Sequence, residues 1–186
     1  MMKLITFKLA NQTFALPLAD VERVIQVVEM RKLPKTPKSI CGIINMHGEI
    51  LPVINIRLLF MLPVREIELS DQLIIATISS RKVALLVDST HDVVEIDEEE
   101  IIKADKIMFG MKYVTGVVKL ENNMVLINDI AKFLSPEELT KLEVEIKNQK
   151  PQTKNQKPKT PNPKPQTPNP KPETTNPKQQ TKNQKP

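Results

Sequence analysis

Few residues in this chain have the chemistry of a nucleophile, a base or a metal ligand. It contains two histidines, His47 and His91, and a single cysteine, Cys41. A Cys41–His47 dyad would require only that the two side chains meet in the folded chain. However, Cys41 lies in an apolar run, where free cysteines are usually buried, and each histidine lies in a polar segment typical of an exposed turn. We therefore expect no catalytic residue and no enzymatic activity.

Four consecutive acidic residues, Asp97, Glu98, Glu99 and Glu100, precede an apolar pair at 101–102. Clustered carboxylates bind hard cations or perform acid–base chemistry. Consecutive side chains point in different directions, however, and acidic residues favour the N-terminus of a helix. The run therefore predicts the solvated start of a helix. Because the sequence also contains no phosphate, dinucleotide or zinc motif, we expect neither a metal nor a cofactor.

The composition of the chain changes sharply near residue 148. Residues 148–186 hold ten of the sixteen prolines, no aromatic residue, and repeats of Lys, Asn, Gln and Thr. They carry nine lysines against one glutamate, whereas the rest of the chain carries 18 basic and 21 acidic residues. Such a segment cannot bury apolar surface. We expect a folded, mildly acidic domain over 1–147 and a disordered, basic tail over 148–186.

The hydrophobic segments and the cysteine content indicate a compartment. No apolar run is long enough to cross a membrane, and the first residues lack the apolar stretch of an export signal. A lone cysteine fits a reducing environment. We expect a cytoplasmic protein.

Short strand-like runs dominate the first 128 residues. Ile5, Phe7 and Leu9 alternate with polar residues, and a second alternation follows the break at 10–12, which predicts an opening hairpin. Polar sequences at 79–81 and 121–123 predict two more hairpins. Many short strands with little room for crossover helices indicate an all-β barrel or sandwich. Further strands are predicted at 40–45, 50–56, 73–79, 82–88, 93–96, 113–120 and 124–128.

Two segments carry helix signals. Apolar residues at three- and four-residue spacing from Leu18 to Val28 predict one short helix, although valine-rich sequence is also good strand material. Near the end of the domain, Ser135 is a predicted N-cap, with Pro136 at the first helical position and Glu138 three residues after the cap. The apolar face of this C-terminal helix is predicted to comprise Leu139, Leu142 and Ile146.

The stretch TPKSICGIINMHGEILPVINIR, residues 36–57, resembles the signature of the CheW family, T-P-x-x-I-x-G-x-x-N-L-R-G-x-I-x-P-V-[IV]-[DN]-[IL]-R. Two later stretches, VALLVDSTHDVVEI and YVTGVVKLENNMVLINDIAKFL, are also similar to the family. The likeness covers nearly all of residues 1–142 and does not extend to the tail. The requirements of the fold alone would also explain the shared pattern, because Gly42 and Gly48 permit tight turns and Pro52 suits the start of a strand.

The resemblance implies an all-β fold of two SH3-like five-stranded β-barrel subdomains that share a core, with short helices including a C-terminal one. It implies a signal-transduction adaptor of chemotaxis that has no active site, cofactor or small-molecule substrate. Proteins that resemble it bind the regulatory domain of a histidine kinase and the cytoplasmic tip of methyl-accepting chemoreceptors. Recruitment to membrane-associated receptor arrays follows from the same resemblance.

Four positions depart from the family pattern. Arg23 stands where Glu is common, His47 where Arg is usual, Ala84 replaces a Gly, and Thr90 replaces a Val. A histidine cannot copy the five-donor fork of arginine, and exchanging Glu for Arg reverses a charge, so these positions are expected to influence the choice of partner. The candidate protein-binding residues are Val21, Arg23, Val24, Asn45, His47, Gly48, Ala84, Thr90 and Val93.

Two interpretations fit the three valines of this set, Val21, Val24 and Val93. Together, Val21, Val24 and Val93 would line an apolar groove for a receptor helix. Each is also consistent with an ordinary core position, because isolated apolar residues carry little functional meaning unless they form a patch. The sequence leaves both readings open.

An alternative function places the activity in the tail. In that reading the β-domain is a platform, and the lysines of residues 148–186 bind nucleic acid or another anionic surface. The tail has neither the aromatic residues nor the arginines that usually accompany such binding. A solvated spacer is the simpler interpretation.

Overall fold

The described part of the chain consists mainly of short strands. The computed structural model describes residues 1–106, 112–120 and 123–149. The predicted tail therefore lies outside the described residues except for positions 148 and 149, which end the last helix. The elements are β1 (Met2–Leu9), β2 (Gln12–Pro17), β3 (Val21–Gln26), β4 (Ile40–Met46), β5 (Glu49–Asn55), α1 (Ile56–Leu59), β6 (Gln72–Ile78), β7 (Arg81–Val87), β8 (Ser89–Ile96), β9 (Ile102–Lys103), β10 (Val114–Leu120), β11 (Asn123–Asn128) and α2 (Pro136–Gln149).

The strands form two curved sheets. The first has the order β8-β1-β2-β11-β10-β9, and the second has the order β3-β6-β7-β5-β4. In each sheet the two edge strands are consecutive in the sequence: β8 and β9 in the first sheet, and β3 and β4 in the second. The segment between them therefore connects the two edges of the sheet, as closure into a small barrel requires. In the second sheet, Arg31, which follows β3, exchanges two backbone hydrogen bonds with Ile43 of β4 at 2.8 and 2.9 Å. The predicted all-β fold with two small barrels is confirmed, with the two-residue β9 added to the first sheet.

Apolar clusters fill each barrel and the space that the two sheets share. Ile74 of β6 and Leu85 of β7 face a core that both sheets share. Their strand neighbours Ile75 and Ala84 face the opposite way, into the interior of the second barrel. A third cluster around Leu4 fills the first barrel. Because both faces of β6 and β7 are buried, these strands are continuous apolar runs instead of alternating ones.

The helix predicted from Leu18 to Val28 is wrong. A three-residue 3-10 turn, Leu18–Asp20, leads directly into β3. The pairing of β3 with β6 shifts register between Val21 and Arg23, which is a β-bulge. One extra residue in a strand puts residues three apart on the same face, and Val21 and Val24 both pack against the shared core. The bulge therefore produces the spacing that looks helical in the sequence.

The predicted hairpins are present where the structure describes them. β1 pairs with β2 and β6 with β7, each antiparallel across a two-residue turn. Ser79 and Ser80, which form the β6–β7 turn, have φ values of 46° and 72°, as a type I′ turn requires. β10 pairs with β11, but the turn residues 121 and 122 lie outside the described residues.

The C-terminal helix α2 begins as predicted. Ser135 Oγ accepts a hydrogen bond from the Glu138 N–H at 3.2 Å, and Glu138 Oε2 accepts one from the Ser135 N–H at 2.8 Å. This reciprocal pair is a capping box. Leu142 packs in the shared core, and Ile146 packs beside Leu33 and Ile43 of the second barrel. The capped start thus fixes a helix that contacts both the shared core and the second barrel.

Candidate protein-binding surfaces

Three predicted binding residues lie at the turn between β4 and β5. Met46 pairs with Glu49, so His47 and Gly48 are the two turn residues. Their φ values are 52° and 87°, which again defines a type I′ turn. Asn45 Oδ1 accepts a hydrogen bond from the Gly48 N–H at 2.9 Å. His47 is therefore presented to solvent on a hydrogen-bonded backbone.

Arg23 belongs to a run of charged contacts that crosses the second barrel. Glu22 Oε1 pairs with Arg23 Nη2 at 2.9 Å, and Glu22 Oε2 pairs with Lys82 Nζ at 2.9 Å. Lys82 Nζ also lies 3.4 Å from Glu49 Oε2. We call these four side chains the ionic chain. The hydrogen bond from Lys82 is the main cause that lowers the pKa of Glu22, and the same bond raises the pKa of Lys82.

The ionic chain includes one of the four departures from the family pattern, Arg23, and ends two residues from another, His47. It starts at Arg23 on β3 and ends at Glu49, the residue that follows the His47–Gly48 turn. Its members are partly or largely exposed, and exposed ion pairs contribute little to folding. Charge arrangement at such a surface affects the choice of partner more than stability. Relative to the family pattern, Arg23 reverses the charge at its position and His47 replaces an arginine. Both differences therefore alter the same polar surface of the second barrel.

Helix α2 extends this surface. Arg81 Nη2, on β7, pairs with Glu143 Oε1 of α2 at 2.8 Å. A polar cavity of about 570 Å³ lies between the two type I′ turns and α2, and its lining includes His47, Ser80 and Lys147. The β4–β5 turn, the β6–β7 turn and α2 thus form a single polar face at one end of the second barrel.

The three valines lie on edge strands of the two sheets. Val21 and Val24 on β3 are half-buried against the shared core, whereas Val93 on β8 is 49% exposed. Thr90, at the start of β8, donates from its N–H and its Oγ1 to Gln72 Oε1, at 2.6 and 2.8 Å. Gln72 is on β6 and pairs with the end of β3. The Gln72 side chain therefore joins the second sheet to the first, at a point close to the edge strands β3 and β8.

Ala84 does not lie on any surface. It is fully buried on β7, opposite Ile75 of β6 and Val53 of β5. All three pack inside the second barrel. Ala84 therefore cannot touch a partner, and its methyl group fills barrel interior where the family pattern has a glycine.

Cys41 and His47 do not form a dyad. Cys41 is near the start of β4, and the five residues from there to Met46 span about 16 Å of extended chain before the turn. The Cys41 Sγ donates to the Val53 carbonyl at 3.4 Å, and burial raises the pKa of the thiol to about 11. The side chain is thus a protonated thiol at neutral pH that packs against the second-barrel interior.

Two sequence interpretations of polar segments need correction. His91 and Asp92 form a bulge within β8, where the register against β1 shifts, and not a turn between strands. Thr6 Oγ1 donates to the Asp92 carbonyl at 3.0 Å, which holds the bulge. The acidic run forms one exposed 3-10 turn, Glu98–Glu100, before β9 and starts no longer helix. Among residues 1–106, 112–120 and 123–149, no three His, Cys, Asp or Glu side chains are grouped as metal ligands.

Sequence reasoning missed a charged cluster under the β1–β2 turn. Arg57, only 8% exposed, donates from Nε and Nη2 to the two Asp88 oxygens at 3.2 and 2.5 Å. Asp88 Oδ2 also accepts from the Ala10 N–H at 2.7 Å. Arg65 pairs with Asp88 at 3.1 Å and with buried Asp71 at 2.5 Å. Burial raises the pKa of Asp88, but the bonds from Arg57 and Ala10 outweigh it and hold that pKa below its usual value. The resemblance could have pointed to this contact, because Arg57 and Asp88 both fall inside the stretches that are similar to the family.

Comparisons with known proteins agree on a family. The model of the CheW-like domain matches residues 3–138. A chemotaxis protein CheW from Bacillus subtilis (strain 168) is 30% identical over 140 residues, which cover 73% of this chain and 88% of that protein. One from Treponema pallidum (strain Nichols) is 27% identical over 146 residues, or 75% of this chain and 86% of the relative.

A solved structure agrees as well. The crystal structure of the scaffolding protein TtCheW from Thermoanaerobacter tengcongensis superposes with a TM-score of 0.68 at 31% identity, covering 74% of this chain and 94% of that one. Two small β-barrels with a shared core and a capped C-terminal helix define the class of double-barrel β-domains. Within that class, the chain belongs to the CheW-like family.

Proposed function

We propose that this protein is a chemotaxis adaptor that couples methyl-accepting chemoreceptors to a histidine kinase through protein–protein contacts. The observation that carries the proposal is the family match over residues 3–138, which spans both barrels and the start of α2. The TtCheW relative is itself described as a scaffolding protein. A protonated, packed Cys41 gives this chain no thiolate nucleophile, which is consistent with a scaffold that works by contact and not by catalysis.

Two surfaces support separate contacts in this proposal. The polar face with His47 and the ionic chain offers fixed charges and an ordered turn, which suit recognition of another folded domain. The edge strands β3 and β8 offer partly exposed valines, with Val93 the most exposed of the three, and apolar side chains of this kind suit the face of an amphipathic receptor helix. We assign the kinase regulatory domain to the first surface and the receptor tip to the second.

The location of the protein is part of the same proposal. No helix in the described ranges is long and apolar enough to cross a bilayer. An adaptor of receptors and a kinase works on the cytoplasmic side, and we propose recruitment there to membrane-associated receptor arrays. The alternative of a nucleic-acid or anionic-surface binder depends on the tail, outside the described residues, and the family match gives it no support.

Site-specific photo-crosslinking in the native cell tests the proposal. A photoreactive residue at His47 and another at Val93 should each capture a chemotaxis kinase or a chemoreceptor. Lys119, an exposed residue of β10 on the first sheet, provides the matched control position and should capture neither. Recovery of neither kinase nor receptor from either test position would contradict the proposal.

A further inference from the structure

The three edge valines, to which the receptor tip is assigned above, belong to two different sheets. Val21 and Val24 lie on β3, an edge of the second sheet, and Val93 lies on β8, an edge of the first. Their separation therefore depends on how the two sheets are held against each other. The core that the sheets share is apolar, and apolar attraction is non-directional. Hydrogen bonds between the sheets constrain the spacing of β3 and β8 more sharply, because they are directional.

Gln72 makes direct hydrogen bonds between strands of the two sheets. Its Oε1, on β6, accepts from both the N–H and the Oγ1–H of Thr90 on β8, at 2.6 and 2.8 Å. Because a backbone N–H only donates, the amide oxygen and not the amide nitrogen must face Thr90. Within the described ranges, the other hydrogen bonds that link the two sheets go to Asp88, the residue between β7 and β8. Gln72 therefore provides the direct strand-to-strand contact between the sheets.

The Gln72–Thr90 contact lies close to two of the edge valines. Val24 pairs with Ile74, which is two residues from Gln72 along β6. Val93 follows Thr90 by three residues on β8. At about 3.3 Å per residue, Ile74 and Val93 are each within about 10 Å of the contact along their strands. The contact therefore sets the relative position of β3 and β8 near Val24 and Val93.

Thr90 and Val93 flank the bulge of β8 against β1. Two residues of β8 lie there opposite Thr6 alone, and Thr6 Oγ1 donates to the Asp92 carbonyl at 3.0 Å. Bulges redirect the side chains beside them. The Thr6 bond holds the bulge itself, and the Gln72 contact holds the strand immediately before it. Together these bonds fix the direction of Val93, which is 49% exposed.

We propose that Gln72 and Thr90 are positioning residues for the receptor tip, and that their double hydrogen bond holds β3 and β8 at the spacing that the receptor requires. This inference rests on the proposed assignment of the receptor tip to the edge valines, and it adds the residues that set their geometry. Thr90 stands where the family pattern has Val. A valine at this position keeps the N–H bond and loses the hydroxyl bond. This chain therefore has one more bond between its sheets than the pattern provides, and the extra bond adapts the edge surface to its own receptors.

Calorimetric titration of the full chain with a soluble fragment of a chemoreceptor's cytoplasmic tip, from the same organism, tests this inference. Thr90→Val should bind the fragment about fivefold more weakly, the factor that one hydrogen bond of ordinary net strength contributes. Its affinity for the kinase regulatory domain should not change, because that domain is assigned to the polar face. Thr90→Ser keeps the hydroxyl donor and should bind the fragment as the natural protein does. The matched control is Thr115→Val, which removes the Thr115 Oγ1 bond to the Ile127 carbonyl, 3.2 Å long and within the first sheet. It should lower stability to a similar extent and leave both affinities unchanged.

Two further variants make the outcome decisive. Gln72→Met removes the acceptor but keeps the side-chain length, and it should weaken receptor binding at least as much as Thr90→Val. Unchanged receptor affinity in both variants, a loss that Thr115→Val reproduces, or an equal loss of kinase binding would overturn the positioning role alone. Val93→Asp places a charge on the edge surface and should weaken receptor binding by roughly tenfold or more. If the fragment does not bind the natural protein, or binds Val93→Asp equally well, the assignment of the receptor tip to the edge valines fails, and the inference fails with it.

Discussion

Among single residues, Asp88 makes contacts that connect separate segments of the fold, the closest of them with Arg57. It joins α1 to the end of β7, and Asp88 also binds the Ala10 N–H in the β1–β2 turn. Bidentate contacts between arginine and carboxylate are directional and stronger than neutral hydrogen bonds. One carboxylate therefore fixes three separate segments around the shared core.

Asp88→Asn should lower the free energy of unfolding by about 2–3 kcal/mol, because it leaves the nearly buried Arg57 without its counter-charge. Since the pKa of Asp88 is lowered in the folded state, its contribution is complete above the unfolded-state value of about 3.9 and is lost as the pH falls through the folded value. Urea unfolding from pH 7 to pH 3 measures both effects. Asp92→Asn, at an exposed position, is the control and should change little. An acid dependence unaltered in Asp88→Asn would contradict this role.

The departures at Arg23 and His47 give a second prediction at this scale. If both belong to the kinase-binding face, then Arg23→Glu with His47→Arg should weaken binding to this protein's own partner and improve binding to a partner of a standard family member. The expected change is about 1–3 kcal/mol if the contacts are desolvated in the complex. Arg23→Glu also places a second carboxylate beside Glu22. Calorimetric titration measures the change, and Lys119→Glu serves as a charge-matched control. Unchanged affinities for both partners would show that the two positions do not contact partners.

At the scale of elements, α2 is held by its first turn and its apolar face. Ser135→Ala removes the side-chain acceptor of the capping box and should cost about 1 kcal/mol in the free energy of unfolding. Ser135→Asn, which keeps a capping acceptor, should restore most of that loss. Chemical denaturation of the three proteins checks the prediction, and equal stability of the alanine variant and the natural protein would contradict it.

Elements with a local signal were predictable from the sequence. The capping residues of α2, the turn at Ser79–Ser80 and most strand boundaries follow from residue types and periodicity. The bulge at Glu22 was not predictable, because it depends on how β3 meets β6 and has no signature within β3. It turned the two-residue spacing of a strand into the three-residue spacing of a helix, which explains the wrong helix.

The candidate site was predictable only in part. His47 was expected in an exposed turn, and it lies in one with Gly48 because the motif itself forms that turn, where Asn45 at the end of β4 accepts from the Gly48 N–H. The ionic chain joins residues from three strands, and sequence periodicity carries no information on such pairings. Ala84 was misplaced for a related reason: a strand buried on both faces gives no pattern that separates surface from interior.

At the scale of the whole molecule, the shared core joins the two barrels into one body. Phe7 from the first sheet, Ile74 from the second and Leu142 from α2 all pack in it. The polar face lies on the second barrel and the edge valines lie where the two sheets meet, so their relative positions are set by this core. Such an arrangement allows a scaffold to hold two partners at a fixed separation.

A calorimetric titration of the full chain with the CheW-like regulatory domain of the chemotaxis kinase from the same organism tests the adaptor role directly. The adaptor role predicts saturable binding at one regulatory domain per chain. The Bacillus subtilis relative, titrated with its own kinase domain, provides the positive control for the assay. Absence of binding by this chain under conditions where the control pair binds would contradict the assignment as a coupling adaptor.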